Sequence, residues 1–193
     1  MTTAMGAVAE QLSYEQYLAL AAATDDVLEY HDGVVVSMVA PSYEHARIVG
    51  QLVRLLGRSS KQGCVALPSG LKVRIEATNR TLVPDVTVVC GAGQRSQLDN
   101  QAIVNPVIIF EVLSPSTEAY DQDTKLHQYR RIPSLREYVT VAQDHRFASI
   151  CRRVGDLWAF EDVEAGGVLR LEGLGVELAL DDVYGDELGV IVP

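Results

Sequence analysis

Basic side chains are scarce in this sequence. Sixteen lysines and arginines stand against 26 aspartates and glutamates, a formal net charge of -10. That excludes a uniformly basic nucleic-acid coat and shifts attention to where the few positive charges lie. Cysteine is scarce too: Cys64, Cys90 and Cys151 are odd in number, widely scattered and form no CxxC pair. Neither a zinc site nor a disulfide framework is indicated, and reduced, buried cysteines of a cytoplasmic protein are the expectation. No apolar run is long enough to cross a bilayer, so no membrane association is expected. Met1 to Glu10 combines no basic stretch with a long apolar one, so no secretory signal is expected. Residues 1–12 read as a flexible N-terminus. Repeats, low-complexity tracts and linkers are missing, which leaves one domain over residues 1–193.

What is present suffices for a core. The 193 residues are 48% hydrophobic, enough to bury a continuous interior. Charge is unevenly spread. Residues 121–153 carry 7 basic and 4 acidic side chains, whereas residues 154–193 carry 1 basic and 10 acidic. The positive stretch holds Arg130, Arg131, Arg136, Arg146, Arg152 and Arg153. It reads either as a phosphate-facing strip or as a face that pairs with the acidic C-terminal segment.

Ser13 and Gln16 form a capping-box pattern that predicts a helix over Tyr14 to Ala23. Val27–Tyr30 and Val34–Val39 predict a hairpin closed at His31-Asp32-Gly33. Ser42 predicts the cap of a helix running to about Ser59, with Ile48, Leu52, Leu55 and Leu56 on its apolar face. Strands follow over Cys64–Leu67, Leu71–Ile75, Pro84–Val89 and Val107–Leu113, the last the most apolar and so the most central. Ala77 to Arg80 reads as a loop. A helix over Asp121 to Arg131, strands over Arg136–Ala142 and Phe147–Arg153, and short glycine-punctuated strands complete the chain, with Trp158 and Phe160 expected in the core. The order predicts an α/β (α+β) domain with a mixed sheet.

Two of these strands each carry one carboxylate. Asp85 opens Pro84-Asp85-Val86-Thr87-Val88-Val89, and Glu111 interrupts Val107-Ile108-Ile109-Phe110-Glu111-Val112-Leu113. An ionised carboxylate among apolar strand residues is costly to bury unless it is paired or binds a metal. Lys125 follows shortly after. A divalent cation held by Asp85, Glu111 and the carbonyl of Val112, with Lys125 beside it, would suit phosphodiester hydrolysis. A buried structural bridge from Glu111 to Lys125 or to an arginine is the alternative. Tyr129, one turn after Lys125, can pack beneath the lysine, and ordinary core packing suits it equally well. Ser114 and Asp121 read as caps for the Lys125 helix. His31, His127 and His145 show no partner pattern.

The order Pro-Asp, Glu, Lys resembles the PD-(D/E)XK nuclease superfamily, and more closely the Uma-two family of restriction-endonuclease-like proteins. The resemblance rests on Leu28-Glu29-Tyr30-His31-Asp32-Gly33, Ala40-Pro41-Ser42-Tyr43-Glu44-His45, Pro84-Asp85-Val86, Glu111-Val112-Leu113-Ser114-Pro115-Ser116-Thr117, Asp121 with Lys125 and Tyr129, and Glu137-Tyr138-Val139. It extends from about Thr24 to Tyr184. It implies a restriction-endonuclease-like mixed sheet flanked by helices, with extra C-terminal strands. It further implies metal ligation (Mg²⁺ or Mn²⁺) by Asp85 and Glu111, a nucleic-acid substrate with DNA as the expected class, and a homodimer. Glu44 and His45 become positions around the metal ligands or against substrate, and Arg130 and Arg131 potential phosphate contacts. Two departures stand out. Leu113 fills the superfamily's usual lysine slot, so Lys125 is a lysine moved off the strand. Val139-Thr140-Val141-Ala142 replaces the family's common Trp-Leu-Val-Asp. A metal-dependent endonuclease is the leading reading. A catalytically weak nuclease fold serving as a binding or assembly module is its rival, and hydrolysis of a smaller phosphoester a third possibility.

Overall fold

The capping box read from Ser13 and Gln16 is formed in the computed structural model of the chain, which describes residues 11–59, 63–114 and 124–185. Gln16 N donates to Ser13 Oγ at 3.2 Å and Ser13 N to Gln16 Oε1 at 2.7 Å, starting α1 (Tyr14–Ala22). Tyr14 and Tyr17 of α1 pack their rings on Tyr30 of β1 (Leu28–His31). Asp32 and Gly33, with φ of 49° and 102°, make the two-residue turn into β2 (Val34–Ser37). Two positive φ values match the twist of a tight hairpin, and glycine adopts one without a Cβ penalty. Residues 1–10 of the expected flexible N-terminus lie outside the described residues. At Leu12 the N–H donates to Gly33 O at 2.9 Å and the carbonyl accepts from Tyr30 Oη at 2.9 Å.

This hairpin belongs to a five-stranded sheet in the order β2-β1-β5-β4-β7, with β4 (Lys72–Ile75), β5 (Arg80–Leu82) and β7 (Ala102–Ile103). The stretch expected as a loop at Ala77–Arg80 is instead a short 3₁₀ turn, Glu76–Thr78, that leads straight into β5. Asn79, with φ 51°, reverses the chain there, and asparagine tolerates that left-handed conformation better than most residues.

The second sheet carries the carboxylates. Its order is β11-β10-β9-β8-β6-β3, from β3 (Cys64–Pro68), β6 (Val86–Cys90), β8 (Ile108–Leu113), β9 (Glu137–Ala142), β10 (Phe147–Val154) and β11 (Leu157–Glu164). Only β8 and β9 run parallel. Every residue of β8 is buried, as its apolar run requires of a central strand. One face of this sheet packs Val86, Val88, Ile108, Phe110, Val139 and Val141 against Ile48, Leu52 and Leu56 of α2 (Tyr43–Ser59). The other face packs Val89, Ile109 and Tyr138 against Val73, Ile75 and Leu82 of the first sheet and against α3 (Leu126–Tyr129). Glu111 lies on this second face by strand alternation.

The C-terminal hairpin β12 (Val168–Leu171) and β13 (Val176–Ala179) and the short α4 (Leu180–Tyr184) bury Leu169, Leu171, Leu178, Leu180 and Val183 in the cluster under α2. These segments therefore cover the chain's own core. Two expectations need correction. Phe160 is 63% exposed, not core, because β11 is the sheet's edge; Trp158 is half-buried. Cys64 and Cys90 form a disulfide, and only Cys151 is a free buried thiol. The reason is register: β3 and β6 place Cys64 directly opposite Cys90, a pairing no short sequence spacing reveals. Among the described residues, no helix is long and apolar enough to cross a membrane.

Candidate active site

Proline makes the first half of the site. In the β6–β8 ladder Val86 pairs with Phe110, Thr87 with Ile109 and Val88 with Ile108. Continued by one residue, the register sets Asp85 across from Glu111, and by two, Pro84 across from Val112. Pro84 has no N–H to offer the ladder. That removes a donor from the Val112 carbonyl, while the Val112 N–H donates to Asp85 Oδ2 at 2.8 Å. The Val112 carbonyl leaves the strand on the same edge as that N–H, toward Asp85. Asp85 Oδ1 accepts from His45 Nε2 at 2.8 Å. His45 is aimed there by the first turn of α2, where its backbone N–H donates to Ser42 Oγ at 3.1 Å, as expected of a capping serine.

Glu111 makes the second half. It is 3% exposed, and its Oε1 accepts from Lys125 Nζ at 3.1 Å and from Tyr129 Oη at 3.1 Å. Lys125 sits in a π-helical turn just before α3, and Tyr129 lies one turn on, so both reach the same oxygen. Burial, reinforced by the Glu111 and Glu29 charges, holds the Tyr129 hydroxyl well above the ordinary tyrosine range, so it remains a donor. Leu113, in the superfamily's lysine slot, is buried apolar packing. The part of the Lys125 helix expected from Asp121, with its capping role for Asp121, falls outside the described residues.

Glu29 was not singled out from sequence, yet it borders this cluster from the other sheet. It is 1% exposed. Its Oε1 lies 3.9 Å from Lys125 Nζ and accepts from Val83 N at 2.9 Å, and its Oε2 meets His31 Nε2 at 3.0 Å. Arg80 Nη1 lies 2.9 Å from His31 Nδ1. Arginine can only donate, so His31 Nδ1 accepts and Nε2–H donates to Glu29. Burial raises the Glu29 pKa, but the His31 hydrogen bond, the Lys125 charge and the Val83 N–H together outweigh it and hold the carboxyl below the ordinary glutamate range. The sequence signal was the Leu28–Gly33 run itself, which places a lone carboxylate on an apolar strand just as at Asp85 and Glu111.

The remaining candidates lie elsewhere. Glu44 is exposed in the first turn of α2. Arg130 lies over the Trp158 ring at 5.4 Å, and Arg131 is exposed. Arg136 is exposed where β9 begins, and its N–H donates to Val107 O, beyond the end of β8 remote from Val112. Arg146 pairs with Asp181 at 2.7 Å, and Arg152 with Glu137, Glu161 and Glu172 at 2.9, 3.2 and 3.4 Å. Arg153 donates to the carbonyls of Arg130, Ile132 and Leu135. Much of the positive stretch thus serves the fold, part of it by pairing with the acidic C-terminal segment.

The carboxylate oxygens of Asp85 and Glu111 are hard donors, a chemical match for Mg²⁺ or Mn²⁺. Among the described residues, no three His, Cys, Asp or Glu side chains gather into a complete ligand set. A cation here would draw on Asp85, Glu111 and main-chain oxygen such as that of Val112.

Comparison with known proteins bears on the same constellation. Residues 14–181 match the model of the Uma2 family, described as "Putative restriction endonuclease". The chain belongs to the Uma2 family. An uncharacterized Synechocystis protein, slr1290, is 32% identical over 176 residues, covering 90% of this chain and 92% of that protein. A second Synechocystis protein, sll1609, is 27% identical over 146 residues, covering 75% of this chain and 82% of its own. The crystal structure of a putative nuclease belonging to DUF820 from Anabaena variabilis superposes with a TM-score of 0.73 at 17% identity, covering 90% of this chain and 97% of that one. At that identity the likeness establishes the nuclease-like fold. Uma2 membership and this fold agree with the restriction-endonuclease-like mixed architecture expected from the motifs.

Proposed function

We propose that this Uma2 protein is a divalent-metal-dependent endonuclease that hydrolyses DNA phosphodiesters. The observation that carries the reading is the Asp85 carboxylate bonded at 2.8 Å to the N–H of Val112, the residue after Glu111, with the Lys125 ammonium 3.1 Å from Glu111. Asp85, Glu111 and the Val112 carbonyl would hold Mg²⁺ or Mn²⁺. When bound, such an ion supplies Lewis-acid stabilisation of the phosphoryl oxygens and an activated water. His45 and the Val112 N–H orient Asp85. Lys125 and Tyr129 hold Glu111, and the Lys125 charge is placed to offset negative charge developing on the phosphoryl group.

Cation binding is the test. Millimolar Mg²⁺ or Mn²⁺ at roughly 100 times its dissociation constant stabilises a site by about 2.7 kcal/mol, a rise of about 5–11 °C for a chain of this size. Wild type should show it in a thermal melt, and Asp85→Asn should not. An equal rise in both proteins would remove the shared site.

A second reading, a nuclease fold that binds or assembles rather than cuts, draws support from the net charge of -10 and from the arginines already engaged within the fold. Metal-stimulated nicking by wild type excludes it. A homodimer is part of the proposal. The β10–β11 hairpin exposes Val154, Leu157 and Phe160 at an edge strand, and sedimentation at micromolar concentration should give twice the 21.0 kDa chain mass. A clean monomer would contradict it.

A further inference from the structure

Lys125 stands between two carboxylates that belong to different sheets. Glu111 comes from β8 and Glu29 from β1, and the ammonium is within 3.1 Å of one and 3.9 Å of the other. Lys125 lies in the π-helical turn at the start of α3, which runs four residues and has no side-chain cap. Holding a long flexible side chain at 4% exposure costs rotamer entropy that its contacts must offset. A cation at Asp85 and Glu111 would draw on the same Glu111 carboxylate that meets the lysine, whereas Glu29 would stay with Lys125.

We propose that Glu29 is the positioning residue for Lys125, and that the Arg80–His31 pair behind it fixes Glu29 in turn. The inference rests on the nuclease reading for its consequence in catalysis, but not for its geometry. Glu29 is well suited to the role. Both its oxygens are directed by donors other than the lysine, Val83 N–H on Oε1 and His31 on Oε2. His31 is held by Arg80, which cannot lose its proton under ordinary conditions. The chain is thus Arg80, His31, Glu29, Lys125, Glu111. Its charges also sort usefully. Glu29 offsets the lysine, so the negative charge of Glu111 and Asp85 remains for a cation.

The test uses the full chain with Glu29→Gln, which keeps the shape and an acceptor for Val83 N–H but removes the charge. Only three lysines occur, Lys61, Lys72 and Lys125, so the side-chain ¹³Cε signal of Lys125 can be assigned by its loss in Lys125→Arg. In Glu29→Gln that signal should move while that of Lys72 stays. In plasmid nicking, kcat should fall by about tenfold with KM within about twofold, the signature of a misplaced group rather than lost binding. Glu29→Gln should add no further loss to Lys125→Ala, and Mn²⁺ should still bind. His31→Ala, which leaves Glu29 with the Val83 N–H but without its donor on Oε2, should move the Lys125 signal in the same direction. An unmoved Lys125 signal in both variants overturns the proposal. So does loss of Mn²⁺ binding in Glu29→Gln, which would make Glu29 a ligand. If wild type does not cut at all, the nuclease reading fails, and the Lys125 signal still decides the role of Glu29.

Discussion

Glu111→Gln should abolish metal-dependent nicking, lowering the rate by about 10³-fold, since removing one anionic ligand forfeits several kcal/mol of charge stabilisation. The fold should survive. Glutamine keeps an oxygen acceptor for Lys125 Nζ and Tyr129 Oη, both of which now meet Glu111 Oε1, and Lys125 retains Glu29. The cost in stability should therefore be about 1–3 kcal/mol, that of weakened charged hydrogen bonds. Urea unfolding and plasmid nicking on the same preparation separate the two effects. Nicking within tenfold of wild type in a folded Glu111→Gln protein would show that the chemistry lies elsewhere.

Lys125→Ala should have the largest effect on stability. It removes the one ammonium within reach of Glu29 and Glu111 among the described residues, and both carboxylates are buried. Breaking a buried pair from one side costs about 3–5 kcal/mol. The pH dependence follows from Glu29. Its pKa is lowered in the folded state, with the His31 hydrogen bond and the Lys125 charge overcoming the effect of burial. A lowered carboxyl pKa contributes stability that is fully present above the unfolded value, about 4.3, and is lost as pH falls through the folded value. The gap between wild type and Lys125→Ala should accordingly be widest near neutral pH and narrow below about pH 4. Urea midpoints at pH 7 and pH 3.5 measure it. A gap that is constant or widens in acid would show that Lys125 contributes by packing rather than charge.

The legible parts of this chain are those governed by local rules. Ser13 with Gln16 and Ser42 with the α2 backbone satisfy helix N-termini through their nearest neighbours, and the Asp32-Gly33 turn closes a hairpin in the manner its residues demand. Asp85 and Glu111 could be singled out from sequence because each is a lone carboxylate beside or within an apolar strand, and the strands concerned, β6 and β8, are neighbours in the sheet although β7 separates them in the chain. What escaped depends on register and on the meeting of separate sheets. Glu29 and Lys125 are far apart in sequence and meet only because the five-stranded sheet packs on the carboxylate face of the larger one. Cys64 and Cys90 pair through the β3–β6 register. β5 and β7 are three and two residues long, too short for periodicity to register. Counting charges along residues 121–153 could not reveal that Arg146, Arg152 and Arg153 turn toward the protein's own carboxylates and carbonyls.

The central claim is that Asp85 and Glu111 share one divalent cation, and the most direct measurement is a crystal of the wild-type protein soaked in Mn²⁺, with the ion located by its anomalous scattering. The account predicts a single strong peak about 2.1–2.3 Å from carboxylate oxygens of both Asp85 and Glu111, with the Val112 carbonyl completing its protein ligands and Lys125 still held between Glu29 and Glu111. Mn²⁺ bound away from both carboxylates, in protein that nicks DNA when Mn²⁺ is supplied, would contradict it.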